Sequence, residues 1–369
     1  MKRLITVLLC LTFAMAPCRC LAVETSARSA IIIEAKYGTV LYEKNAHTKA
    51  TMASTTKIMT AVCAIEEGDM DKKIRVHDSA VGVEGSSMYL TRGEELTLRE
   101  LVYGLMLNSG NDAAVAIACA VSGSVDEFAK LMNAKAAEIG AKNTQFKNPN
   151  GLDEEGHYTT AYDLAKITAY AMKNEEFKKI VSTYQTTVSG PEGKRYLTNH
   201  NKLLKMMDGC TGVKTGFTKK SGRCLVSACE RDGIEVVSVT LNAPDDWNDH
   251  MAMTDYAYTR LAKKTVVQKG ENFGYVSVKK GTSKSVEAVC SDTFWVPASD
   301  DVRYVSVYEV PKELTAPVKK GSQVGTLKVY MDSEVVASVP IVAKNSVSED
   351  KTRHIGTSVG AIIRTYLDC

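Results

Sequence analysis

The chain has 369 residues, a 44% apolar fraction and a net formal charge of +3. Two folded domains are the expectation at that size, and the ordinary composition excludes a disordered or collagen-like chain. Lys2, Arg3 and Arg19 carry the whole positive excess, so without them no basic field remains to attract nucleic acid.

In chain order, residues 1–22 read as an export signal. Lys2 and Arg3 precede an apolar run from Leu4 to Ala16, and Cys20-Leu21-Ala22 offers a small-residue cleavage site. The run is short for a membrane span, and Pro17 before Cys18 argues against a lipoprotein site. Residues 29–46 predict a hairpin, with Ala30–Ile33 and Thr39–Tyr42 around Lys36-Tyr37-Gly38. A helix opens near Ser54. Residues 97–175 are read as helical, with capping-box spacing at Thr97/Glu100 and Ser124/Glu127 and a stop at Gly140. Beyond Val181 the pattern turns to strands: Cys210–Gly216, Gly222–Glu230 and Ile234–Asn242. A helix over Trp247–Lys263 follows, placed to pack on that sheet.

From about Gly270 to residue 345 every segment is strand-like, which predicts a separate all-β domain. The tail spaces Ile355, Val359, Ile362, Ile363 and Tyr366 as a helix would. It either docks on its own protein or lies against a membrane surface. The division is therefore a leader (1–22), a larger domain (23–265), a β-rich domain (270–348) and a short tail (349–369).

Of ten cysteines, three lie in the leader. Cys63 and Cys119 read as small buried hydrophobes. Cys224 and Cys229, five apart on an expected strand, face opposite sides. No Cys/His spacing indicates zinc, and neither metal nor cofactor is expected.

Three motifs occur in order: Ser54-Thr55-Thr56-Lys57 (S-x-x-K), Ser109-Gly110-Asn111 (S-x-N) and Lys214-Thr215-Gly216 (K-T-G). The set occurs in class A β-lactamases and penicillin-binding proteins. S-x-x-K alone is weak, since Ser277–Lys280 and Ser348–Lys351 match it too, and Ser54 alone is far better explained as a helix cap. Order and setting add the specificity: helix start, break between helices, strand. At i and i+3, Ser54 and Lys57 share a helix face. A neutral Lys57 activates the hydroxyl, and burial plus the charge of Lys214 favour neutrality. Backbone N–H groups of Ser54 and Phe217 are the expected oxyanion hole. Ser109 is positioned to protonate a leaving amine, and Asn111 to hold a substrate amide and touch Lys57. Lys214 and Thr215 offer a cation and a hydroxyl to a carboxylate, and Gly216 admits a close backbone.

With these motifs, and with flanking segments Asn148-Pro149-Asn150-Gly151-Leu152, His157–Asp163 and Asn199-His200-Asn201, the chain resembles a low-molecular-mass penicillin-binding protein of the serine D-alanyl-D-alanine carboxypeptidase family over residues 26–350. The resemblance implies an α/β fold: an antiparallel sheet flanked by helices, a helical subdomain carrying S-x-N, and a C-terminal all-β domain. It implies acylation of Ser54 by peptidoglycan stem pentapeptides, with loss of the last D-alanine, and inhibition by β-lactams at the same serine. The expected location is the cell wall or the outer face of the cytoplasmic membrane. Phe217 stands where some members carry histidine, which bears on substrate preference. His157, Asp163 and His200 are read as structural.

Three other readings compete. A class A β-lactamase needs an acid past S-x-N, and Lys142–Asn148 contains none. The long segment after K-T-G also exceeds a lone lactamase domain. A penicillin sensor with a slow site differs in turnover, and a transpeptidase differs only in the acceptor, water or an amine. The motifs do not separate these last two from a carboxypeptidase.

Overall fold

The computed structural model describes residues 23–299, 302–331 and 333–351. The expected leader, the amphipathic tail spacing and Cys369 fall outside them. The sheet that positions the site has five antiparallel strands: β1 (Ser29–Glu34), β2 (Val40–Lys44), β3 (Cys210–Thr218), β4 (Gly222–Arg231) and β5 (Ile234–Leu241). Their order is β2-β1-β5-β4-β3, which leaves β3, the K-T-G strand, at an edge. Every residue of β1 is buried. Its alternation sends Ile31 and Ile33 to a large helical core and Ala30 and Ile32 to a smaller core on the other face. The predicted hairpin forms, and the Glu34 carboxylate accepts the Lys36 and Tyr37 N–H groups at 2.9 and 2.8 Å to set its turn.

The helices are α1 (Lys57–Glu67), α2 (Leu98–Leu107), α3 (Asn111–Ser122), α4 (Val125–Ile139), α5 (Ala161–Ala171), α6 (Glu175–Ser182) and α7 (Asp246–Arg260), with a single turn at Leu203–Met206. The caps are those expected. Thr97 and Glu100 form a reciprocal capping box, Ser124 accepts from Glu127 N–H, and Gly140 ends α4 at φ +81°. The helical core joins α1–α6 to one sheet face, while α7 covers the other through Met253 and Ala257. Buried His250 ties α7 to the sheet. Its Nδ1 lies 2.7 Å from Ser227 Oγ and its Nε2 3.0 Å from Thr240 Oγ1, and burial pushes it down to about 3.

The helical expectation over 97–175 fails between α4 and α5. Residues 140–160 are irregular, because Gly140, Gly151 and Gly156 take positive φ and Pro149 has no N–H to give a helix. Strands begin at Gln185 rather than Val181, which ends buried in α6. The last helix stops at Arg260, short of Lys263. Ala262–Val267 is already a strand, paired with Phe294–Ala298, and its Thr265-Val266-Val267 run favours extended backbone. Strand structure of the C-terminal part thus starts at Ala262, ahead of Gly270. A six-stranded sheet follows, closing on its own core of Val276, Val286, Leu327 and Ile341. The architecture is the one expected: a sheet flanked by helices with a helical subdomain, then an all-β domain.

Cys63 is fully buried, but Cys119 is only half-buried, its Sγ 3.6 Å from Ser79 Oγ. Cys224 and Cys229 join opposite cores, as their spacing requires. Among the described residues all six cysteines are free thiols.

Candidate active site

Ser54 sits in a tight 3-10 turn, Ala53–Thr56, that feeds α1. Ala53 is buried at φ +47°, a conformation that surrounding structure must enforce on a non-glycine residue. Thr55 Oγ1 donates to Met52 O at 2.6 Å and Thr56 Oγ1 to Ala53 O at 2.8 Å. His157 completes the brace. Lys147 N–H donates to its Nδ1 at 3.0 Å, so Nε2 carries the proton and donates to Thr56 Oγ1 at 2.8 Å. Burial holds His157 down to about 4, hence neutral. Asp163 accepts Asn143 N–H at 2.6 Å and Thr144 Oγ1–H at 3.0 Å. Both residues are structural, as read from the sequence. Ser54 caps no helix, and its hydroxyl lies instead 3.0 Å from Lys57 Nζ.

Lys57 is fully buried. Its Nζ donates to Asn111 Oδ1 and to the Asn150 carbonyl, both at 2.6 Å. A neutral amine has two N–H bonds and one lone pair. Two acceptors take the N–H bonds, which leaves the lone pair for the serine hydroxyl. Burial is the main cause that drives Lys57 well below an ordinary lysine, followed by the charge of Lys214, with Asp112 opposing. The orientation of Asn111 is fixed from behind, since its Nδ2 donates to Glu84 O at 2.5 Å.

Asn111 begins α3, and Ser109 occupies the break before it at φ +59°. The buried Asp112 carboxylate anchors the facing loop by accepting Ser87 Oγ at 2.6 Å, Met88 N at 3.0 Å and Leu90 N at 3.0 Å. On the sheet side, a Cβ on Gly216 would sit 3.0 Å from Ser54 N and 3.1 Å from Thr55 N, so β3 passes against the serine turn. Lys214 is buried behind it, donates to Thr215 O at 3.0 Å, and is pushed down to about 7 by burial.

Ser54, Ser109, Thr215, Gly216 and Phe217 line one cleft of about 310 Å³. Lys57 and Asn111 are hydrogen-bonded to each other at its base, and Lys214 lies close enough to act on Lys57 electrostatically. Five of the predicted site residues thus line the cleft, Lys57 and Asn111 bond to each other beneath Ser54, and Lys214 is buried behind β3. Four features were missed. The Asn150 carbonyl is one, because backbone acceptors have no residue signature. Asp112 is another, an acid in a helix first turn. Arg223, with Asp246 and Trp247, is a third; Arg223 follows K-T-G by a short turn, and Asp246 and Trp247 join it only through packing. His200, expected to be structural, lines the cleft and is lowered by burial and by Lys214.

Gly151 gives a local test. It has φ +87°, and an added Cβ would clash with the Ala53 carbonyl oxygen. Gly151→Ala is expected to destabilise the fold by about 2–3 kcal/mol and to slow acylation of Ser54. Thermal unfolding and labelled-penicillin incorporation measure the two effects.

The sequence profile described as "D-alanyl-D-alanine carboxypeptidase" matches residues 15–245, and that described as "Penicillin-binding protein 5, C-terminal domain" matches residues 262–349. The chain is 36% identical to the D-alanyl-D-alanine carboxypeptidase DacF of Bacillus subtilis (strain 168), covering 88% of this chain and 86% of that protein. It is 28% identical to DacD of Escherichia coli (strain K12), covering 88% of each. Among solved structures, penicillin binding protein 5 from Haemophilus influenzae superposes with a TM-score of 0.64 at 26% identity, over 88% of this chain and 98% of that one. The peptidoglycan synthesis regulatory factor PBP3 from Streptococcus pneumoniae gives 0.74 at 25% identity, over 88% and 100%. With both profiles in register and the serine, lysine and asparagine of the motifs joined at one cleft, the chain belongs to the D-alanyl-D-alanine carboxypeptidase family of low-molecular-mass penicillin-binding proteins, a family of serine-type hydrolases.

Proposed function

We propose that the protein removes the terminal D-alanine from peptidoglycan stem pentapeptides through an acyl-enzyme on Ser54, and that β-lactams acylate the same oxygen. The observation that supports this best is the position of Lys57 Nζ, 3.0 Å from Ser54 Oγ and bonded to Asn111 Oδ1 and the Asn150 carbonyl. Lys57 takes the hydroxyl proton as Oγ bonds to the penultimate D-alanine carbonyl carbon. The oxyanion points to the N–H groups of Ser54 and Phe217. The C–N bond then breaks, Ser109 gives a proton to the leaving amine, and Lys57 returns one to Ser109. Water attacks the ester with Lys57 again as base, which frees the shortened peptide and restores Ser54. Asn111 holds the substrate amide, Gly216 admits its backbone, and Lys214 and Thr215 make the carboxylate end favourable.

Action of this kind lies outside the cytoplasm, in agreement with the leader proposed for residues 1–22 and the division into domains 23–265 and 270–348. Membrane contact through the tail is part of the same proposal. Among the described residues no helix is long and apolar enough to cross a membrane.

The cleft is unlike that of a class A β-lactamase in one respect. Among the described residues its only lining carboxylate is Asp246, which is held by Arg223. The test is mass spectrometry of muropeptides after digestion with the purified protein. Pentapeptides should lose one D-alanine without new cross-links. New cross-links would indicate a transpeptidase, and stable penicillin binding without D-alanine release would indicate a sensor.

A further inference from the structure

Two cysteines of the catalytic sheet face each other across neighbouring strands. Cys210 opens β3, the K-T-G edge strand, and its register partner on β4 is Cys229. No other two cysteines among the described residues are strand partners. Cys224 of β4 is paired with Leu241 of β5 and Cys290 with Ile341, while Cys63 and Cys119 lie on helices.

The pair has the geometry that a disulfide needs. The Glu230 N–H donates to Gly209 O at 2.8 Å, so the hydrogen-bonded position is the one next to it. The Cys210 N–H turns instead to Met207 O at 3.1 Å, and the Cys229 carbonyl accepts the Tyr258 hydroxyl at 2.8 Å. Cys210 and Cys229 thus form a non-hydrogen-bonded pair, in which opposed Cα atoms lie about 4.5 Å apart and side chains come closest. A disulfide spans Cα separations of roughly 4.4–6.8 Å. Both side chains are on the α7 side of the sheet, where Cys229 is buried in the smaller core and Cys210 packs against it. A Cβ built on Gly209, the residue before Cys210, would lie 3.2 Å from Cys229 Sγ. The thiols rest on carbonyls that flank the pair, Cys210 Sγ 3.3 Å from Gly212 O and Cys229 Sγ 3.2 Å from Asp208 O. Rotation about χ1 swings each sulfur between staggered positions.

We propose that Cys210 and Cys229 form a structural disulfide outside the cytoplasm, one that fastens the start of the K-T-G strand to the interior of the sheet. The strand is placed to gain from it. β3 is an edge strand whose one strand neighbour among the described residues is β4, and its register shifts between Cys210 and Gly212, just ahead of Lys214. The electron acceptor is the disulfide of a small thiol or of a thiol oxidoreductase, of the kind that oxidising compartments hold. The Cys210 thiolate attacks it and releases one thiol. Cys229 then attacks the Cys210 sulfur and releases the second, and the two leaving thiolates take up the two protons. Burial raises both thiols, Cys210 to about 11, so exchange in the folded protein is slow and the bond is a lasting staple. The serine chemistry uses neither sulfur, so the assignment rests on export and not on the substrate.

The experiment refolds the full chain in a buffer of oxidised and reduced glutathione and, in parallel, in excess reductant. Non-reducing peptide mapping after alkylation should show the Cys210 peptide linked to the Cys229 peptide in the oxidised sample. The melting temperature of the catalytic domain should be about 5–10 °C higher with the bond than without it, and Cys210→Ser should abolish that difference. Labelled-penicillin incorporation at 25 °C should be the same in both samples. Alkylation of both Cys210 and Cys229 after oxidative refolding, or a link from either to a different cysteine, would overturn the proposal, and this mapping needs no variant to fold. An equal melting temperature in a sample that carries the bond would overturn the fastening role. Cell fractionation tests export separately, and the mapping decides the pairing whichever way that result falls.

Discussion

Ser54→Ala should release no measurable D-alanine and take up no labelled penicillin, a loss of at least about a thousandfold against wild type. The expectation follows from what the hydroxyl touches. Ser54 Oγ lies 3.0 Å from Lys57 Nζ, opens onto the cleft and caps no helix. Removing it deletes the oxygen that the proposed mechanism acylates. Lys57 keeps its bonds to Asn111 and Asn150, so stability should stay within about 0.5 kcal/mol of wild type. The pairing of lost chemistry with retained folding makes the variant decisive. Covalent penicillin found on the Ser54→Ala protein by intact-mass measurement would place the nucleophile elsewhere and end the proposed mechanism.

Much of this site was legible in the sequence because its chemistry resides in side chains at short, fixed spacings. Ser54 and Lys57 are three apart at a helix start, Ser109 and Asn111 bracket a glycine between two helices, and Lys214-Thr215-Gly216 occupies an edge strand. The sheet was legible for a similar reason, since β3, β4 and β5 are short strand-like runs separated by short turns. What escaped belongs to the backbone or to long-range packing. Asn150 contributes a carbonyl, which every residue has, and the carbonyl is useful only because Gly151 can approach Ala53 so closely. The irregular 140–160 segment was read as helix because its flanks, α4 and α5, are strongly amphipathic. Arg223 reached the cleft through the register of β3 against β4 and the anchor of Asp246. No local pattern encodes that register. Lys214 shows the converse limit: its motif was plain, yet its burial behind the cleft wall depends on the packing of the whole sheet edge.

Lys57→Ala should lower the acylation rate by about a hundred- to ten-thousandfold, the range for loss of a positioned general base. It also orphans Asn111 Oδ1 and the Asn150 carbonyl, which costs about 1–3 kcal/mol per buried group, so rate and stability must be measured together. The pH dependence isolates the base from the structural loss. Only the neutral amine can accept the Ser54 proton, so wild-type acylation should fall as pH drops through the depressed pKa of Lys57, and Lys57→Ala should lack this acid limb. Lys214 gives the directional check. Its charge is the second cause, after burial, that depresses Lys57. Lys214→Gln removes that charge, raises the Lys57 pKa and should move the acid limb to higher pH. A limb that stays in place would assign the titration to another group, and one that moves to lower pH would contradict the electrostatic coupling of the two lysines. In the first case the serine would need a base other than the amine 3.0 Å from its oxygen.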